Sequence, residues 1–126
     1  MKRLWLGISL LVLFFILSLF VGVTMDNTHL EIAEKLQNAA DLVLEENYSL
    51  GQTQAESAKR QWESCWGPTA AVADHAPMDE IDGLFAQLEA FEKPEDAAHY
   101  AATCLQLAKL VKAMAEAHRL LPENLL

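Results

Sequence analysis

Glycine is scarce, five residues in 126, and none of the five sits in a loop of the kind that cradles phosphate groups. No Gly/Ser linker, internal repeat or low-complexity tract divides the chain. There are two cysteines, Cys65 and Cys104, but no Cys-x-x-Cys or Cys-x-x-Cys-His, which excludes the usual dithiol, zinc and haem-attachment motifs. A Gly-x-Ser-x-Gly elbow is missing, and Ser64-Cys65 has no histidine four residues away to act as a base. The four histidines, His29, His75, His99 and His118, form no His-x-x-x-His pair. Glu95-x-x-x-His99 and Glu116-x-His118 are out of register with the Glu-x-x-His pairs of carboxylate-bridged di-iron bundles. Asp79-Glu80-x-Asp82 lacks the loop glycine and terminal glutamate of a calcium site, and reads as the acidic opening of a helix. No catalytic residue, cofactor or metal ligand is therefore named, and a noncatalytic protein is expected.

Basic residues are few as well, nine against 18 acids. All 18 acids follow residue 25, where they meet only seven bases, so this part of the chain has a net charge of −11. Phosphate backbones and anionic lipid repel such a surface, which argues against nucleic-acid binding and flat adsorption on a membrane. The acidity otherwise reads as a solvated face and names no partner.

What the chain does have is one long apolar run. Leu4 to Val23 are twenty residues without a charge, fifteen of them Leu, Ile, Val or Phe. At about 1.5 Å per residue a helix of that length spans about 30 Å, the thickness of the hydrocarbon layer. A cleaved secretory signal is the competing reading, but its apolar stretch runs about 7 to 15 residues and ends at small side chains. Here the exit is Val21-Gly22-Val23-Thr24-Met25. An uncleaved anchor is expected, so that the mature protein keeps residues 1 to 25. Lys2 and Arg3 flank one end of the run and Asp26 the other, with no base until Lys35. The positive-inside rule then gives a cytoplasmic tail of residues 1–3, a transmembrane helix over 4–23 and an extracytoplasmic helical domain over 24–126.

The remaining hundred residues show helical periodicity and nothing that alternates with period two for long enough to make a strand. Thr28-His29-Leu30-Glu31 matches a capping box, and a first helix from there buries Leu30, Ala33, Leu36, Ala40 and Val43 before Asn47 to Gly51 ends it, unless it continues from the membrane helix. A second helix carries Ala55, Ala58, Trp62 and Cys65 on one stripe, with Lys59 and Arg60 turned away. Gly67-Pro68 suggests a kink there, or a short new helix from Thr69 to His75 closed by His75-Ala76-Pro77. A third helix shows Ile81, Leu84, Phe85, Leu88 and Phe91 on one face and ends at Lys93-Pro94. In the fourth, Ala97, Tyr100, Ala101, Cys104, Leu107, Ala108, Val111, Met114, Ala115 and His118 share a stripe that Pro122 stops. The expected fold class is all-α: an N-terminal transmembrane helix followed by an antiparallel bundle of about four helices.

Several segments are familiar as a set. The start Met1-Lys2-Arg3-Leu4-Trp5, the Trp62 helix, Asp74-His75 followed by Asp79-Glu80-Ile81-Asp82, and the ending Glu123-Asn124-Leu125-Leu126 resemble the Domain of Unknown Function 4363 family. These are small bacterial membrane-anchored proteins. The resemblance implies localisation and architecture but no activity, and Gly67-Pro68 departs from an otherwise unbroken second helix.

The leading functional reading is a membrane-tethered helical module that contacts another membrane or envelope protein. A small-molecule-sensing helical domain is the alternative, and an enzyme comes third. Trp62 and Trp66 are four residues apart, the usual spacing of a core stripe; if Trp66 faces out beside the helix interruption it can anchor a partner. The expected contact surface is therefore Trp66, Gly67, Pro68 and His75. Cys65 and Cys104 are expected as two buried free thiols, the alternative being a bridge between helices two and four.

Overall fold

The structure, a computed structural model, describes residues 1–70 and 75–124, with side-chain surroundings for all of these but 21, 22, 25, 26, 68 and 118–124. Among the described residues every regular element is helical: α1 (Lys2–Leu44), α2 (Tyr48–Ala70), α3 (His75–Ala90), a single 3-10 turn (Pro94–Asp96) and α4 (Ala97–Asn124). An apolar N-terminal helix thus leads into a helical bundle, the fold class that the periodicity indicates.

α1 runs unbroken for 43 residues. Thr28 does not cap a new helix: its hydroxyl donates to the Thr24 carbonyl at 2.9 Å, just as Thr24 donates to Phe20 at 2.8 Å. Both threonines bond back to the preceding turn, and the segment between them contains neither glycine nor proline to break it. Lys2–Phe20 is long and apolar enough to cross a membrane, and the rest of the chain buries none of it.

The C-terminal end of α1 comes earlier than the sequence suggests. Asn47 N–H reaches the Leu42 carbonyl at 2.9 Å and Glu46 N–H the Val43 carbonyl at 3.1 Å, with Glu46 at φ 66°. This is a Schellman cap, in which a left-handed residue turns the chain while the orphan carbonyls are satisfied. Gly51 accordingly lies inside α2 rather than ending α1. A Cβ there would sit 2.5 Å from Val43 Cγ2 and 3.1 Å from the Ala39 carbonyl oxygen, so the missing side chain lets α1 and α2 approach.

α1 packs chiefly against α2 and α4, α3 lies on α4, and α2 hardly meets α3. A helix flanked on two sides buries a wide stripe: His29, Ile32 and Ala39 are enclosed along with Ala33, Leu36, Ala40 and Val43, whereas Leu30 is half-buried. α2 contributes Ala55, Ala58 and Trp62 to the core, with Cys65 half-buried. It passes through Gly67-Pro68 to Ala70, so neither an interruption nor a separate helix begins at Thr69. Proline removes one hydrogen bond of the ladder, and the helix is described on both sides of it. Residues 71–74 of the expected short helix lie outside the described residues. His75 is helical within α3 instead of closing a segment, and the described helix passes Pro77.

α3 buries Met78, Ile81, Leu84, Phe85 and Leu88. Phe91 follows its end, half-buried, and stacks on His99 at 5.3 Å between ring centres. In α4 the buried stripe runs from Tyr100 to Ala115, with Ala97 half-buried and the surroundings of His118 outside the description. α4 passes Pro122 and ends at Asn124.

Candidate functional site

α2 and α3 run antiparallel and approach each other little, and a ladder of side-chain bonds joins them. At one end Gln52 Nε2 donates to the Glu92 carbonyl at 2.8 Å. Next, Lys59 Nζ meets Glu89 Oε1 at 2.9 Å. At the other end one carboxylate takes two indoles: Trp62 Nε1 donates to Asp82 Oδ1 at 2.7 Å and Trp66 Nε1 to Asp82 Oδ2 at 3.1 Å. Trp62 and Trp66 are one helical turn apart, so both N–H groups reach the two oxygens of a single side chain on α3. Trp62 is fully enclosed, and its one polar atom is satisfied by an acceptor at the surface.

Between these rungs the helices leave two adjoining grooves. One, of about 510 Å³, is bordered by Trp62, Glu63, Trp66, Asp82 and Ala86; the other, of about 330 Å³, by Gln52, Glu56, Leu88, Glu92 and Tyr100. Lys59, Phe85 and Glu89 belong to both. Their floor is aromatic and their rims are acidic. The Lys59 hydrogen bond and charge hold the Glu89 carboxyl below the usual carboxylate range, and the same bond raises Lys59 above the usual ammonium value. Lys59 thus faces α3 rather than turning away as the stripe reading has it, whereas Arg60 is exposed.

The four expected contact residues stand as follows. Trp66 is half-buried and tied to Asp82, Gly67 is exposed with open space where a Cβ would point, and His75 is exposed at the start of α3. Pro68 lies outside the residues whose surroundings are described. Below Trp62 is a second polar contact that sequence reasoning missed. His29 Nε2 lies 3.3 Å from Thr69 Oγ1, with the imidazole 6.0 Å from the Trp62 ring. Thr69 Oγ1 also lies 2.8 Å from the Cys65 carbonyl, to which its hydroxyl donates. On the α1–α2 face, Lys35 Nζ donates to Gln61 Oε1 at 2.8 Å and Ser57 Oγ at 3.2 Å.

Cys65 and Cys104 are both free thiols. Burial pushes the Cys104 thiol up to about 12 and raises Cys65 as well, so neither is an activated nucleophile. Among the described residues no three His, Cys, Asp or Glu side chains are placed to hold a metal ion. No family model, curated protein or solved structure matches the chain.

Proposed function

We propose that the chain is a noncatalytic, membrane-anchored helical module that acts by contact with another membrane or envelope protein. The observation that carries this is the continuity of α1, whose exposed apolar window passes without a break into the most enclosed helix of the bundle. Leu, Ile and Phe side chains left open to solvent along Lys2–Phe20 suit lipid rather than water. On this proposal the helix crosses the cell membrane once, with Lys2 and Arg3 on the cytoplasmic side and the acidic bundle outside. Membership of the Domain of Unknown Function 4363 family, with its bacterial source, is part of the same proposal.

A bundle joined to its anchor by helix has little reach. Such a tether raises the effective concentration of membrane neighbours and does nothing comparable for a freely diffusing substrate. The test is photocrosslinking in intact cells from positions 66, 67 and 75, repeated with Trp66→Ala. Capture of a membrane or envelope protein is expected, weakened by the alanine. No capture from any of the three, together with saturable small-molecule binding by the full-length protein, would replace contact with sensing.

A further inference from the structure

The grooves between α2 and α3 offer more than a place where two helices fail to meet. They adjoin through Lys59, Phe85 and Glu89, and from Gln52 to Trp66 the α2 wall measures about 21 Å at ~1.5 Å per residue, about four helical turns. Their rims carry Glu56 and Glu63 on α2, Asp82 and Glu89 on α3 and Glu92 just past its end, against the single base Lys59, which Glu89 already neutralises. Among the described residues neither Glu56 nor Glu63 has a hydrogen-bond or ion-pair partner, and both are exposed. At one end the half-buried Trp66 indole and the exposed Ala86 supply apolar surface.

We propose that this face receives a basic amphipathic helix from the membrane partner, laid along α2 and α3 as an added helix of the bundle. The inference rests on the contact function above and specifies its surface and the charge of its occupant. Charge selects among occupants. A second copy of the chain would bring net −9 to an already acidic rim, whereas lysines and arginines on a partner helix pair with Glu56, Glu63 and Glu92 and can lie over Trp66. The groove follows the bundle axis, and Trp66 marks the end nearer His29 and hence nearer the anchor. A helix that continues out of the partner's own membrane span therefore enters at Trp66 and follows the groove outward.

The test uses the full-length protein in nanodiscs of neutral phosphatidylcholine, with empty nanodiscs as the blank. The probe is a labelled Ala/Leu/Lys amphipathic peptide of about five helical turns, compared with its Ala/Leu/Glu counterpart. Saturable binding of the lysine peptide alone is expected, weakened about tenfold by the double change Glu56→Lys and Glu63→Lys, and falling steeply with salt. The control pair Glu34→Lys and Asp41→Lys makes the same charge change on the exposed side of α1 and should leave binding within about twofold. Equal weakening by both pairs, or equal binding of both peptides, would overturn the groove. In cells, crosslinkers at Glu63 and Ala86 should capture a protein through a basic helical segment, and one at Glu34 should not. Capture from Glu34 alone, or capture of a second copy, rejects the groove and its occupant while leaving contact intact; capture from no position rejects contact itself.

Discussion

Asp82 shows how much one side chain can carry. From sequence it is the last acid of a helix-opening cluster, yet it accepts both indole hydrogens that face α3. Nothing in the spacing of Asp79-Glu80-x-Asp82 could reveal this, because the partners lie 16 and 20 residues away on another helix. Trp62 was legible as core, and it is buried as a stripe residue should be. Asp82→Ala should lower the stability of the full-length protein in detergent by about 1 to 3 kcal/mol, the cost of leaving an enclosed N–H without an acceptor. Urea titration followed by tryptophan fluorescence measures it, and an unchanged midpoint would remove Asp82 from the account. Cys104 gives a pH prediction. Its thiol is raised in the folded protein to about 12 from an ordinary 9.0, so it favours folding below pH 9 and loses that contribution as the unfolded chain ionises between pH 9 and 12. The melting temperature should fall with rising pH in that window, and Cys104→Ser, whose hydroxyl does not ionise there, should flatten the dependence.

At the scale of elements, the stripes on α3 and α4 were readable because each of these helices presents one face to the core. α1 was underread, since contact with both α2 and α4 brings Ile32 and Ala39 inside as well. Helix boundaries were misplaced wherever a proline or glycine was given its usual meaning without its position in the helix. Pro68, Pro77 and Pro122 each have described helix on both sides, so none of the three stops its helix. Gly51 was taken as a terminator, and it is a close-approach site. The turn between α1 and α2 can be tested in both directions. Glu46→Gly should stabilise the fold by up to about 1 kcal/mol, because glycine takes the left-handed cap without a Cβ penalty. Gly51→Ala should destabilise it by about 1 to 3 kcal/mol by driving a methyl group into Val43. Thermal unfolding by circular dichroism reads both, and the same sign for the two changes would contradict the assignment.

For the molecule as a whole, the all-α architecture was legible from periodicity, whereas the candidate surface was only partly so. Trp66 lies on a groove whose other wall comes from α3, and no local pattern announces that two helices will be joined by polar rungs. The proposed function depends on placement: the acidic bundle is proposed to make its contact outside the membrane that α1 is proposed to cross. The most direct measurement is a pair of reporter fusions after Leu126 in growing cells, one active only in the cytoplasm and one only outside it. The account predicts that the exterior reporter works and the cytoplasmic one stays silent, with the intact chain in the membrane fraction still holding residues 1 to 25. The reverse pattern, or a released protein that starts near Asp26, would contradict it.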